Sequence, residues 1–482
     1  LTRREFFGAA AACGGLASCL SVPPPDRAGP PNVVLLMADD LGWGDVGFNG
    51  NQVVRTPNLD RLSQEGIRFD RFYASSPVCS PTRGSCLTGR HPYRYGIHFA
   101  MDGHLPDREL TLAEMLQHQG YRTGHFGKWH LGTLDLSGKE VGRWGGWAGE
   151  HAAENFSPPW QNGFDTCFST ESKVPTWDPM ITPAREHGGV SQALAPGEPY
   201  GTYYWTGPGE VATENLDGDD SRVIMDRAVA FIEEAIEQKR PFFAVIWFHT
   251  PHLPIVAGEK YQAMYPDLPG LGPHYFGAIT AMDEQIGRLR AGLRAMGVDR
   301  KTMLWFASDN GPEGPEQNET RNGSAGAFRG RKRSLYEGGV RVPAFVVWPE
   351  KIPLPVATSL PASTLDYVPT VADALGVPLA GEIDGVSLMP LIEGGRMSAR
   401  NKPIGFETPG QVALSDDRWK IVSKTDEDGA PLGFELYDLV ADPGETTDRA
   451  VAQPEIVAAM AERLAGWRAS CAASVSADRL AP

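Results

Sequence analysis

Short apolar runs recur along the chain, and each stops at a polar cluster. Val33-Val34-Leu35-Leu36-Met37 leads into Ala38-Asp39-Asp40, and the run from Phe242 to Phe248 leads into His249-Thr250-Pro251-His252. Met303 to Ala307 leads into Ser308-Asp309-Asn310. Apolar runs without alternation are the pattern of parallel strands buried on both faces. Phe345-Val346-Val347-Trp348 predicts a further strand. Helical periodicity lies between these runs. Ser221 to Lys239 places Ile224, Ala228, Ile232, Ala235 and Ile236 on one face, and Ile279, Met282, Ile286, Leu289, Leu293 and Met296 repeat at steps of three and four. Thr111-Leu112-Ala113-Glu114 is a capping box, with Gly120 where the helix would stop. Alternation of strand and helix to about residue 370 predicts a layered α/β domain. In such sheets the site lies beyond the carboxyl ends of the strands, so the polar clusters are expected to converge there.

The texture changes after about residue 400. Gln411 to Leu414, Trp419 to Val422 and Phe434 to Leu439 predict short strands between Asp/Gly-rich turns. Glu455 to Ser470 places Ile456, Met460, Leu464 and Trp467 on one helical face, which implies a small antiparallel sheet with a helix on it. Residues 135–215 fit neither pattern. They are rich in Gly and Pro and carry Trp144, Trp147, Trp160, Trp177 and Trp205. Long irregular stretches of this kind are usually functional or mobile. The rings could stack on sugars, or each could simply anchor a loop.

Composition adds limits. Of 482 residues, 44 are Lys or Arg and 60 are Asp or Glu, a net charge of −16. Such a surface disfavours nucleic acid and anionic membranes, so an anionic substrate needs a locally basic pocket. Arg83, Lys128 and the cluster Arg329, Arg331, Lys332, Arg333 are available for one. At the start of the sequence, Thr2-Arg3-Arg4-Glu5-Phe6-Phe7 resembles a twin-arginine export motif and is followed by an apolar, Ala/Gly-rich stretch to Leu20. Leu16-Ala17-Ser18-Cys19 resembles a lipobox, which would make Cys19 a lipid anchor and the only route to a membrane; a plain cleaved signal is the alternative. Both imply export, to the periplasm or the cell envelope. Ser21 to Pro31 reads as a tether. The remaining cysteines, Cys79, Cys86, Cys167 and Cys471, make no disulfide framework and show no zinc spacing.

Two pairs of oxygen donors carry candidate metal chemistry. Adjacent Asp39 and Asp40 repel unless a cation lies between them. With Asp309 and Asn310 they offer hard oxygen donors and no His or Cys, which suits Ca²⁺ or Mg²⁺ over zinc, and four side chains favour Ca²⁺. Ser80-Pro81 reads as an N-cap and first turn. Cys79 would then stand at the mouth of a helix, where an anion is favoured.

Longer strings carry a resemblance. Cys79-Ser80-Pro81-Thr82-Arg83 with Leu87-Thr88-Gly89-Arg90 resembles the signature of the type I sulfatases. Gly127-Lys128-Trp129-His130 resembles that family's second block, although Phe126 stands where a small or aliphatic residue is commoner. Gly330 to Arg341 resembles its lysine-bearing loop, and Asp384 to Leu388 and Leu436 to Leu439 extend the likeness to the last helix. The resemblance implies an alkaline-phosphatase-like fold: an α/β domain with a large mixed, mostly parallel sheet flanked by helices, and a smaller C-terminal antiparallel sheet plus helix. The expected layout is an export segment (1–20), a linker (21–31), a catalytic region (32–395, with 135–215 as specificity insert) and a C-terminal α+β part (396–482).

The resemblance also assigns roles. Cys79 would be oxidised to formylglycine by a formylglycine-generating or maturase enzyme. Asp39, Asp40, Asp309 and Asn310 would hold the metal, which residue 79 also touches. The hydrated aldehyde would attack sulfur. Arg83, Lys128 and Lys332 would neutralise the sulfuryl oxygens, His252 would protonate the leaving oxygen, and His130 would assist release of sulfate. Hydrolysis of sulfate esters on a sulfated carbohydrate from an extracellular polysaccharide is the implied function. His249, Arg185, His187, Trp177 and Tyr204, with Tyr200 and Tyr203, are candidate sugar contacts. A phosphoester or phosphonate hydrolase of the same superfamily, or a catalytically silent carbohydrate-binding protein, are the alternatives.

Overall fold

A computed structural model describes residues 29–136, 153–192, 194–314, 323–379, 381–395 and 397–475. The export segment with Cys19, most of the linker, and Trp144 and Trp147 of the insert lie outside the described residues. Among the described residues no helix is long and apolar enough to cross a membrane.

The first strands are β1 (Asn32–Ala38), β2 (Ile67–Tyr73), β3 (Arg122–Lys128), β4 (Thr166–Thr170), β5 (Trp205–Gly207) and β6 (Glu210–Val211). They are followed by β7 (Phe242–Trp247), β8 (Thr302–Ser308), β9 (Arg341–Val347), β10 (Val356–Thr358) and β11 (Ala362–Ser363). These form one sheet in the order β10-β2-β9-β8-β1-β7-β3-β4-β5-β6, with β11 pairing β2 off that path. The middle of the sheet, β8-β1-β7-β3-β4, is parallel throughout. β9 runs antiparallel to both of its neighbours.

Both faces of β1 are buried, as its unbroken apolar run predicts. Val33, Leu35 and Met37 enter one core with Leu112 and Leu116 of the helix Leu112–His118. Val34, Leu36 and Ala38 enter the other, with Ile224 and Ile232 of the helix Asp220–Glu237 and Ile279, Met282 and Ile286 of the helix Gly272–Ala295. The Thr111/Glu114 capping box forms as read.

The smaller sheet is antiparallel: β12 (Ile404–Thr408), β13 (Gln411–Ser415), β14 (Trp419–Lys424) and β15 (Glu435–Asp438). Met460 and Leu464 of the helix Pro454–Val475 pack on one face, through Val412, Leu414, Ile421 and Leu436. The other face brings Ile404, Phe406, Ala413 and Val422 against Tyr73, Leu335 and Val340 of the larger layer. Behind that seam, fully buried Lys420 sits 2.9 Å from Glu337 and 3.0 Å from Glu445. The fold expectation, a mostly parallel sheet with helices plus a small antiparallel sheet and helix, is met.

Candidate active site

The parallel core explains why distant polar clusters meet. Ala38 pairs with Ser308, Met37 with Trp247, and Gly127 with Trp247, so β1, β8, β7 and β3 end at one level of the same edge. The residues that follow are Asp39-Asp40, Asp309-Asn310, His249 to His252 and, from the last position of β3, Lys128 to His130. Backbone bonds extend the ladder past the strands, from Asp309 N to Ala38 O (3.1 Å) and from Asp39 N to Thr250 O (2.9 Å).

Close backbone approach holds this edge together. Gly127 has φ +102°, and a Cβ there would lie 1.9 Å from the Trp247 carbonyl oxygen. Asp40 and His130 adopt left-handed backbone at φ 65° and 60°. Non-glycine residues rarely do so, and such positions gather at functional sites.

Cys79 is the first residue of the helix Cys79–Thr88, whose N-cap is Val78. The expected Ser80 cap is therefore corrected. Ser80 lies inside the helix and its hydroxyl accepts from Met101 N at 3.0 Å, a tertiary bond that outcompetes local capping. Cys79 still stands at the helix mouth. Burial raises its thiol pKa, and the pull of Lys128 and Lys332 does not overcome it.

The carboxylates are buried and heavily compensated. Arg83 is fully buried and grips Asp309 Oδ2 through Nε (3.1 Å) and Nη2 (2.7 Å), while Nη1 donates to Lys128 O at 3.0 Å. Lys128 Nζ donates to Asp39 Oδ2 at 2.7 Å. Lys332 Nζ lies 2.7 Å from Asp40 Oδ1 and 3.5 Å from Glu313. Asn310 Nδ2 donates to Asp40 Oδ1 at 2.7 Å. Burial alone would raise the Asp39 pKa, but Lys128, His252, Arg83 and Lys332 hold it well below the usual range. Asp309 moves the other way, pushed up by burial and by the charge of Asp39.

Three ligand atoms, one each from Asp39, Cys79 and Asp309, lie within 4.8 Å of one another, and so do one each from Asp39, Asp40 and His252. Asp39 Oδ1 and Asn310 Oδ1 are buried without a hydrogen-bond partner among the described residues. Buried oxygens left unpartnered are costly unless a cation takes them. The donor set therefore fits a hard divalent cation.

A cavity of about 540 Å³ opens over these groups, lined by Cys79, Lys128, His130, His252, Lys332 and Arg333, with a wall of Gly189, Val190, Ser191 and Leu194. His252 Nδ1 bonds to Leu253 O at 2.6 Å, and its Nε2 lies 3.6 Å from Asp40 Oδ2.

The sugar-contact candidates fare differently. His249 and Tyr204 are corrected: both are fully buried and neither lines the cavity. His249 bonds to Asp220 (2.8 Å) and Thr170 (2.7 Å), and the Tyr204 hydroxyl donates to Asp220. An ionisable strand-end residue and a tyrosine thus satisfy a buried carboxylate. Trp177 packs on the apolar core and over Gly218 and Gly258, as an anchor. His187 stacks edge-on against His274. Arg185 donates to the carbonyl oxygens of Ser191, Gln192 and Leu194, and so shapes the cavity wall rather than lining it. Tyr200 does line the cavity. Lys173 and Glu313 also line it, and no motif or periodicity in the sequence singled them out.

Comparison with known proteins adds to this geometry. The Sulfatase family model matches residues 31–377, and the model described as N-sulphoglucosamine sulphohydrolase, C-terminal, matches residues 323–470. Arylsulfatase A of Homo sapiens is 34% identical over 471 residues, covering 90% of this chain and 87% of its own. N-acetylgalactosamine-6-sulfatase of Canis lupus familiaris is 31% identical over 388 residues, covering 77% and 67%. Among solved structures, Ps i-CgsB in complex with k-i-k-neocarrahexaose superposes with a TM-score of 0.77 at 25% identity, covering 93% of this chain and 95% of that one.

Proposed function

Because this chain belongs to the sulfatase family, whose reaction is the hydrolysis of sulfate esters, we propose that it removes sulfate from a sulfated saccharide, using a formylglycine made from Cys79 and a bound Ca²⁺. The observation that carries this reading is the convergence of Cys79, Asp39 and Asp309 on one point, ringed by Arg83, Lys128 and Lys332. The neocarrahexaose bound to Ps i-CgsB supports a saccharide substrate.

Asp39, Asp40, Asp309 and Asn310 would hold the cation. When present, the cation supplies charge neutralisation and activates an oxygen, and the modified side chain at residue 79 supplies that oxygen. Lys128 and Lys332 bind the sulfuryl oxygens, and against the downward pull of burial the Asp40 carboxylate keeps Lys332 charged. Arg83 is too deeply enclosed by Asp309, Lys128 O and the Trp247 ring to reach far. It orients Asp309 beside residue 79, where Asp309 accepts a proton. The Nδ1 of His252 is fixed on Leu253 O, which aims Nε2 into the cavity as the proton donor to the leaving oxygen. His130, on its left-handed turn, takes up the proton that accompanies sulfate release. Export to the cell envelope agrees with a polysaccharide substrate.

Mass spectrometry of the peptide containing residue 79 tests the reading. Conversion of thiol to aldehyde lowers its mass by about 18 daltons. Protein that carries an unmodified thiol and still hydrolyses 4-nitrophenyl sulfate would overturn it.

A further inference from the structure

The cations of the cavity are not equivalent. Lys128 is paired with Asp39, Lys332 with Asp40 and Glu313, and Arg333 with Glu313 through both guanidinium nitrogens at 2.6 and 2.9 Å. Against the upward push of burial, Arg333 and Lys332 hold Glu313 at about 2, so that carboxylate is charged and its partners are spoken for. Lys173 differs. Its Nζ donates to one backbone carbonyl, Gly189 O, at 2.7 Å, and it has no carboxylate partner within ion-pair distance among the described residues.

Lys173 lines the same cavity as the paired lysines, beside Ser172, and its Nζ reaches the wall at Gly189. It is half-buried. Burial first, and then the positive charges of Lys128 and Lys332, push its pKa down. An ammonium has three donors. One is used on Gly189, and the others sit in a partly desolvated pocket where an anion would strengthen them. Its backbone bond also sets its position, since Gly189 belongs to the wall that Arg185 organises through its carbonyl bonds.

We propose that Lys173 is a specificity residue that binds a second anionic group of the substrate, a carboxylate or a further sulfate beside the ester being cleaved. This deepens the proposed function and rests on it. The preferred substrate is then a sugar unit with at least two negative charges, and a singly charged aryl sulfate uses only Lys128 and Lys332.

The test compares wild type, Lys173→Met and Lys173→Arg on three probes. These are 4-nitrophenyl sulfate, a sulfated uronate disaccharide with its carboxylate free or reduced to the alcohol, and a hexose monosulfate against the same hexose disulfate. The expected result is a loss of 10- to 100-fold in kcat/KM for Lys173→Met, carried by KM, on the doubly charged member of one pair. The other probes should change less than threefold, and Lys173→Arg should recover most of the loss. The pair that responds identifies the second anion as carboxylate or sulfate. Equal loss on 4-nitrophenyl sulfate, or no loss on either pair, overturns the proposal. Calorimetric binding of the same pairs to Cys79→Ser protein gives a readout that needs no turnover and should show the same preference. Wild type that hydrolyses none of the esters would instead sink the function itself, and the binding preference would still be measured.

Discussion

Arg83 and Asp309 form a buried pair in which two guanidinium nitrogens reach one carboxylate oxygen, at 2.7 and 3.1 Å, across 226 residues of sequence. The pair ties the second turn of the Cys79 helix to the residue that follows β8. Neither side chain is exposed. The guanidinium also lies 5.2 Å from the centre of the Trp247 ring and donates to Lys128 O, so one side chain joins four elements.

Removing one partner of such a pair leaves a buried charge uncompensated, at a cost of about 3–5 kcal/mol. Arg83→Ala is expected to lower the unfolding midpoint by that scale and to reduce kcat/KM on 4-nitrophenyl sulfate at least about a hundredfold. Arg83→Lys keeps the charge but loses the fork, and should recover stability better than activity. Denaturant melts alongside initial rates check this. An Arg83→Ala protein of wild-type stability would show that Asp309 does not depend on it.

The four oxygen-donor residues predict a calcium-dependent stability. A ligand at a hundred times its Kd adds about 2.7 kcal/mol if it binds only the folded state. Wild type stripped with chelator should gain a clear rise in melting temperature when Ca²⁺ is returned, and a smaller one with Mg²⁺. Asp39→Asn should lose that rise whatever its own starting stability, because the comparison is between metal-free and metal-loaded samples of one protein. An equal rise in both proteins would place the ion elsewhere.

How far the sequence announces this site depends on the kind of signal. β1, β7 and β8 are legible because the middle of a parallel sheet is buried on both faces, which demands unbroken apolar runs. β3 was readable only as a motif. Arg-Thr-Gly-His-Phe-Gly-Lys has no apolar run, yet it lies between β4 and β7. Its polar atoms are satisfied by partners far away, Thr123 by Gly163 O and His125 by Ser169. β12 escaped for a similar reason, since its burial comes from Tyr73 and Val340 of the larger layer. Ser80 misled because its cap competes with a backbone group some twenty residues on. His249 and Tyr204 misled because one buried carboxylate, Asp220, claims both.

Asp45 gives the fold a pH dependence. It is fully buried and accepts from Gly42 N, Ser324 N and the Tyr275 hydroxyl at 2.9, 3.0 and 2.7 Å. Burial outweighs these bonds and raises its pKa from 3.8 to about 6. Between those two values the unfolded chain has released the proton and the folded chain has kept it. Stability contributed by this group therefore falls as pH rises across that window, by at most about 1.4 kcal/mol per pH unit. Asp45→Asn should flatten the slope of unfolding free energy between pH 4 and 6 by up to that amount. Denaturant titrations at several pH values check it, and an unchanged slope would mean that Asp45 is ionised throughout.

His252 should matter in proportion to how poor the leaving group is. Burial lowers its pKa to about 4, against the pull of Asp39 and Asp40, so the free ring is neutral at pH 7. An incoming sulfate ester brings negative charge to the face of Nε2 and favours the protonated form there. A nitrophenolate leaves readily without a proton, whereas a sugar alkoxide does not. His252→Gln is therefore expected to cost about 10²–10⁴ in kcat on a sugar sulfate and much less on 4-nitrophenyl sulfate. Rates of the variant on aryl sulfates of rising phenol pKa should also fall more steeply than those of wild type. Equal losses on both esters would assign His252 to substrate binding and leave the proton to another group.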